Sequence, residues 1–484
     1  MFDNNSSTDN ISKPGGKNGS VRLLSKAQQI DIETSDISSR RRLIIDLAWP
    51  ALAENLLASL VSIVDMIMVS SLGAYAISAV GLITQPRFVL LASFTALNIC
   101  STAMVARFKG AREQEKACTV LHQSLLMTCG LTMILCIVML TFGESLVRLL
   151  AGDKISGQTI TASMQYMRIM VIGFPTLSLT LCINSLLRGV GNTRASFYTN
   201  AIANLVNVFF NYCLIGGNLG FPALGVAGAS LATIIGQAAA LCVAVYIIGR
   251  GKEYVSFKLR LAARIDFGMI RRILRIGFPA FVEQIILRSG TMLFTVIVTS
   301  LGDNSYASHM IAMNIQMLSV TTGMAFGTAA ATLVGQCLGR IREDLAKLYV
   351  KMTQNLGFIV SCIVAIAMFA GAEWITSLYS DEIEIIRQSA LMLRIIALVN
   401  PISNARFIYI NALRGAGDSR FSAFVTFIGV ILTRPLISIA LITASLPFQL
   451  GLMGVWIGLS SDSVICFFMS RLRYASGKWA RIQV

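Results

Sequence analysis

The chain has 484 residues, 55% of them hydrophobic and only 13% charged, with a formal net charge of +16. A water-soluble enzyme or binding module of this length could not bury so much apolar surface, so both are excluded. The basic balance alone would suit a nucleic-acid binder, but the placement of the charges, taken up below, excludes that as well.

Residues 1–39 are polar, rich in Ser, Asn and Asp, and lack an apolar stretch ahead of a cleavage site; they read as a disordered tail and not as a signal peptide. Windows of about 20 apolar residues, enough to cross a hydrocarbon core, then predict twelve helices. They fall at 43–70, 80–106, 118–142, 163–187, 196–215, 226–249, 273–300, 306–337, 349–370, 389–413, 421–446 and 451–470. Basic residues gather in alternate loops: Arg40 to Arg42, Arg107 and Lys109, Arg188 and Arg194, the 250–271 stretch, Arg340 and Arg342, Arg414 and Arg420, and the tail after Arg471. The loops between are short or acidic, as at Asp381, Glu382 and Glu384. That alternation is the positive-inside pattern, and it predicts an all-α membrane protein with both termini in the cytoplasm. The positive charge is therefore topology, and no nucleic-acid partner is expected.

The ten cysteines are scattered without a C-x-x-C pair, and the two histidines, His122 and His309, stand far apart. Neither a disulfide framework nor a metal cluster is expected, and His309 reads as a buried hydrogen-bonding residue.

The chain repeats itself. "PALAENLLASLVSIVDMIMVSSLG" from Pro50 returns 229 residues later as "PAFVEQIILRSGTMLFTVIVTSLG" from Pro279. "LLRGVGNTR" (186–194) returns at an offset of 226 as "ALRGAGDSR" (412–420), with Pro175 on Pro401 and Gly225 on Gly451. Six spans return the chain to its starting side, so the halves share one orientation about an axis along the membrane normal. The expected layout is an amino lobe at 40–249, a cytoplasmic linker at 250–271, a carboxyl lobe at 272–475 and a tail at 476–484, with a cleft between the lobes. Two glycines in each R-G-x-G motif read as the means of a tight reversal, and the arginines as anchors at the anionic inner surface.

Ionisable groups within hydrocarbon are costly and default to function or to a neutralising partner. Glu54 and Asp65 share a helix face, about 16 Å apart along the axis, with Ser62 between them. Glu54 has a counterpart in Glu283, and the two are expected to face the cleft from opposite lobes and attract a positive substrate. Asp65 has none, because Phe294 takes its place in the second half; an unpaired acid points to a coupling site confined to the amino lobe. Asn200, Asn204, Asn207 and Asn211 form a stripe on one face of the fifth span, which must meet protein or water. Those amides can donate to Asp65, offer oxygens to Na⁺, or simply join helices.

With P-x-x-x-E-N and VD-x-x-x-V-x-x-LG in the first span, RGVGNTR, RGAGDSR, "GVAGASLATIIGQ" (225–237) and the terminal "YASGKW", residues 40–475 resemble the multidrug and toxic compound extrusion (MATE) family of bacterial transporters. The resemblance mixes NorM-like and DinF-like features. It implies that Asp65 is the aspartate linked to cation coupling, with Asn207 and Asn211 matching the NorM-type Asn pair. Leu287 and Ser403 stand where the NorM branch carries acids, which argues against a second sodium site in the carboxyl lobe.

The function expected is antiport by alternating access: a hydrophobic or cationic organic compound leaves in exchange for H⁺ or Na⁺, with Na⁺ held at Asp65 and Asn207 if sodium is the ion. Arg288, Met292, Phe294, Met313 and Met317 are expected to line the cleft beside Glu54 and Glu283, since sulfur and aromatic surfaces suit varied ligands. No cofactor and no enzymatic activity are expected; the protein is read as a monomer in the bacterial inner membrane. The competing reading is a flippase or exporter of a lipid-linked saccharide, for which Arg288 and Arg434 would meet a pyrophosphate.

Overall fold

The computed structural model describes residues 36–151, 157–251, 253–258, 265–443 and 450–482. The sequence-predicted tail up to residue 35 and linker residues 252 and 259–264 lie outside that description. All regular structure among the described residues is helical.

Twelve long helices follow one another: α1 (Ile37–Ser70), α2 (Ala74–Gly110), α3 (Gln114–Ala151), α4 (Gly157–Gly189), α5 (Thr193–Gly216) and α6 (Gly225–Gly249). The second half holds α7 (Phe267–Thr299), α8 (Asp303–Gly339), α9 (Glu343–Ala370), α10 (Ile383–Gly415), α11 (Ser419–Thr443) and α12 (Gly451–Ala475). Eleven of them are long and apolar enough to cross a membrane. The exception, α5, is diluted by its four asparagines and packs against α1 and α6, so its polar face meets protein.

Most helices outrun the apolar windows. The α2 helix has 37 residues, about 55 Å at 1.5 Å each, against a hydrocarbon core of about 30 Å. Apolarity marks only the part within lipid; the hydrogen-bonded helix continues into the headgroup region. Helix α1 begins where Asp36 accepts hydrogen bonds from Ser38 N and Ser39 N, at 3.3 and 3.1 Å. Pro175 and Pro401 lie inside α4 and α10, which run through them unbroken. Helix α11 contains a π-helical turn at Phe427–Thr433.

The R-G-x-G glycines divide their work. Gly191 and Gly417 adopt φ of +86° and +90°, the left-handed region that reverses the chain. Gly189 and Gly415 do not; a Cβ there would run into the backbone of Thr102 on α2 and Ala331 on α8 respectively. They exist for close helix approach, which corrects the expectation that both glycines serve the turn.

The core is shared at one end of the bundle and divided at the other. At the end carrying the basic loops, Ile44, Leu47 and Ala48 of α1 are buried among α8, α9 and α10. Met269, Ile273 and Ile276 of α7 are buried among α2, α3 and α4. Each lobe thus lends its first helix to the other. Two symmetric crossings close this end: Gly110 rides on the backbone of Gln336 and Gly339 on that of Arg107, positions related by the same 229-residue offset. Thr332 and Gln336 also donate to the carbonyls of Arg188 and Gly189, at 3.1 and 3.2 Å. At the far end the two clusters are separate, one built from α1 to α6 around Tyr166 and Met167, the other from α7 to α12 around Phe294 and Trp456. Among the described residues no core cluster joins the lobes there.

Candidate functional site

The deep acids divide into two kinds once their partners are seen. Glu54 on α1 pairs with Arg188 at 3.3 Å, and accepts from Asn200 Nδ2 at 2.7 Å and Ser196 Oγ at 3.2 Å. Glu283 on α7 repeats the arrangement, with Arg414 at 2.8 Å and Thr426 Oγ1 at 2.9 Å. Asp462 on α12 is bonded by Arg434, whose Nε lies 2.7 Å away. All three carboxylates are therefore neutralised within their own lobes.

Arg188 and Arg414 are the arginines of the two R-G-x-G motifs. They turn inward onto the first helix of each lobe, with side chains only 22% and 16% exposed, and do not serve as free anchors at the lipid surface. The expectation that Glu54 and Glu283 present negative charge to a cleft meets the same geometry: each is consumed by an arginine and a helix-five or helix-eleven donor. The signal was present in the sequence, since Arg188 and Arg414 share an offset with Asn200 and Thr426.

Asp65 is of the other kind. Half-buried five residues before the end of α1, it has amides as bonded partners and no ion pair among the described residues. Asn211 Nδ2 donates to its Oδ1 at 2.6 Å. The Asn207 amide satisfies both its ends when its nitrogen faces the carboxylate, donating to Oδ1 and Oδ2 at 3.0 and 3.2 Å, while its oxygen accepts from Thr233 N of α6 at 3.2 Å. Asn211 Oδ1 is buried without a donor among the described residues. Arg87 on α2 acts on Asp65 through space, and among the described residues no hydrogen bond joins the two and Arg87 Nε is buried without a partner.

This arrangement follows from helix geometry. Asn200, Asn207 and Asn211 lie on the face of α5 that meets α1, so the stripe serves both α1 acids: Asn200 on Glu54, Asn207 and Asn211 on Asp65. Gly236 of α6 allows Asn207 this position, because a Cβ there would press on Asn207 from 3.0 Å. Asn204 is half-buried and Ser62 exposed; no hydrogen bond joins either to Asp65 among the described residues. The Asp65 carboxylate and two amides, of which Asn211 keeps an oxygen without a donor among the described residues, have the donor chemistry of a proton or small hard cation site. Among the described residues no three His, Cys, Asp or Glu side chains cluster for a metal.

The expected cleft residues are not gathered into one lining. Phe294 is buried in the carboxyl-lobe core, with Met313 packed against the same cluster. Met292 and Met317 are exposed. Arg288 is exposed too, and crosses between the lobes to Phe88 of α2, 4.7 Å from guanidinium to ring centroid. His309 is buried against the rings of Phe294 and Trp456, each at 5.5 Å, with Nδ1 lacking a partner among the described residues. His122 joins the start of the linker to the amino lobe, its Nε2 accepting from Lys258 N at 3.1 Å.

Comparison with known proteins gives a consistent picture. The MatE family model matches residues 50–213 and 279–439, one match in each lobe. A probable multidrug resistance protein NorM of Thermotoga maritima is 26% identical over 446 residues, covering 92% of this chain and 94% of the relative. The multidrug resistance protein MdtK of Edwardsiella ictaluri is 24% identical over 439 residues, covering 89% and 94%. A solved structure described as the outward-facing conformation of a multidrug resistance MATE family transporter of the MOP superfamily superposes with a TM-score of 0.83 at 21% identity, covering 96% of this chain and 99% of that one. That likeness shows the shared fold.

Proposed function

The chain belongs to the MatE family of membrane transporters, and from that premise we propose that it is a secondary antiporter exporting hydrophobic or cationic organic compounds in exchange for H⁺ or Na⁺. The names of relatives such as NorM and MdtK support drug-like cargo. The observation that carries the coupling is the contrast among the acids: Glu54, Glu283 and Asp462 each bind an arginine, whereas among the described residues Asp65 is hydrogen-bonded by amides and has no ion pair.

A carboxylate bonded by amides, with Arg87 acting on it only through space, is less fully neutralised than one in contact with an arginine and so gains more from an incoming cation. Loading Asp65 would weaken the hydrogen bonds that Asn207 and Asn211 donate to it and loosen α1 against α5. Because the basic-end half of α1 is embedded in the carboxyl lobe, a change in its far half bears on how the lobes meet. With the basic end placed in the cytoplasm, the ion would enter and the cargo would depart at the far end, where the two core clusters are separate. The saccharide-flippase reading loses a feature it needs, since Arg434 is taken by Asp462 and Arg288 lies over Phe88. Na⁺, if it is the ion, would take oxygens from Asp65 and from Asn211 or a turned Asn207.

The test is efflux of a cationic dye and of a fluoroquinolone from everted membrane vesicles, with proton and sodium gradients imposed separately. One gradient should drive accumulation of both compounds. Accumulation that ignores both gradients, or turnover of a lipid-linked saccharide without dye movement, would refute the proposal.

A further inference from the structure

The repeat that leaves Asp65 without a counterpart also shows what the second lobe keeps there. Down to Asn200 and Thr426 the lobes correspond, each residue bonded to the first-helix glutamate of its own lobe. The next stretch of α11 is the π-helical turn, which takes in one residue more than α5 uses. Beyond it Arg434 stands where α5 has Asn207, Ser438 where it has Asn211, and Asp462 of α12 where α6 has Gly236. Phe294 takes the place of Asp65 itself. The amino lobe therefore has an acid on its first helix met by neutral amides. The carboxyl lobe has an apolar ring at that point, met by a guanidinium that brings its own acid.

The packing of this second site is complete. Arg434 binds Asp462 Oδ2 through Nε and a terminal nitrogen, and Ser463 Oγ donates to Oδ1 at 3.1 Å. The guanidinium lies 5.3 Å from the Phe294 ring centroid, and Asp462 is fully buried. A Cβ at Gly458 would press on the backbone of Arg434 and on Ser438, so α12 is seated tightly enough to hold the pair. His309, the remaining titratable group beside Phe294, faces rings and no carboxylate.

We propose that Arg434 is a resident cation: its guanidinium, bound to Asp462, fills the carboxyl-lobe counterpart of the Asp65 site, so that only the amino lobe exchanges an ion and one cation is carried per cycle. This rests on the coupling role of Asp65 given above. Loading changes the bonded set of Asp65, Asn207 and Asn211 from negative to neutral, with Arg87 acting on it only through space, while the bonded Arg434–Asp462 pair stays neutral throughout. A buried uncompensated charge is what makes a site responsive to an ion, so the carboxyl lobe is the fixed reference against which the amino lobe moves. The corollary is specific: replacing Arg434 by the asparagine found at its counterpart should expose Asp462 and create a second site.

The experiment counts cations bound per polypeptide in the purified full chain, using retained radioactive Na⁺ and proton uptake reported by an indicator dye. The unaltered chain should bind one more than Asp65→Asn. Arg434→Asn should bind one more than the unaltered chain, and Arg434→Lys, which keeps the charge, should not. No gain in Arg434→Asn overturns the proposal. If that variant does not fold, Arg434→Met with Asp462→Leu removes the pair as a unit; its count should equal that of the unaltered chain, and a loss of one cation overturns the proposal. An Asp65→Asn chain that loses nothing, alongside a gain in Arg434→Asn, refutes the Asp65 assignment while supporting the resident cation.

Discussion

Replacing Arg414 by Gln would separate a structural from a cleft-facing role for the paired glutamates. Glu283 is 1% exposed, and without Arg414 its Oε1 keeps only the Thr426 hydroxyl while Oε2 has no donor among the described residues. Leaving such a charge uncompensated costs about 3–5 kcal/mol. The same change at Arg188 should cost less, about 1–3 kcal/mol, since Glu54 is 16% exposed and retains Asn200 and Ser196. Adding Glu283→Gln to Arg414→Gln removes the stranded charge and should restore about 2 kcal/mol or more as a coupling energy. Equilibrium unfolding in mixed micelles, followed by tryptophan fluorescence on the two single variants, Glu283→Gln and the double, gives all three quantities. The reasoning fails if Arg188→Gln is the more damaging change, or if the double variant shows no coupling.

At the two symmetric crossings, Gly110→Ala and Gly339→Ala drive a Cβ into the backbone of Gln336 and Arg107; in a chain retaining only Cys100, which lies beside Gly277 at the lobe contact, thiol labelling from the basic end should quicken, and unchanged labelling would contradict the closure described. Trp479→Ala removes a fully buried ring stacked on Tyr474 at 4.9 Å, and should cost about 3–5 kcal/mol of stability by the same unfolding assay, with a change below about 1 kcal/mol as the contrary result. Burial pushes the Glu253 carboxyl above its ordinary value, only partly offset by Asn192 and Lys109. The folded state therefore holds its proton more tightly than the unfolded one, and docking of the linker start is strongest in acid and weakens as pH rises from about 4.5 through the raised value. Protection factors at residues 253–258, corrected for the intrinsic pH dependence of exchange, should fall across that window, and Glu253→Gln should flatten the fall.

What could be read from the sequence was what is local or literally repeated. Helix length and apolarity are set within each segment, so all twelve spans could be read as apolar windows, the fifth at 196–215 included, although its asparagines keep α5 below the hydropathy of the other eleven. The same periodicity put the four asparagines on one face that had to meet protein or water, and left open which of them would reach Asp65. Tertiary facts were less accessible. Arg188 and Arg414 looked like loop charges, because nothing in a loop's composition tells whether its arginine turns outward or reaches a carboxylate on another helix. Phe294 and Met313 had the chemistry of a ligand pocket, yet a ring beside a buried guanidinium has the same chemistry as one beside a drug. The extra residue of the π turn was masked because the matched glycines at Gly225 and Gly451 return to the offset of the preceding motif. That one residue decides whether Thr433 or Arg434 faces Phe294.

Asp65, which among the described residues is bonded by amides and has no ion pair, is the proposed place where the driving ion acts. The most direct measurement of that role is gradient-driven dye efflux by the Asp65→Asn protein in everted vesicles, at matched membrane abundance and with dye binding measured in parallel. Efflux should fall to the level of empty vesicles while dye still binds. Efflux that proceeds at the unaltered rate under the same gradient would contradict that role.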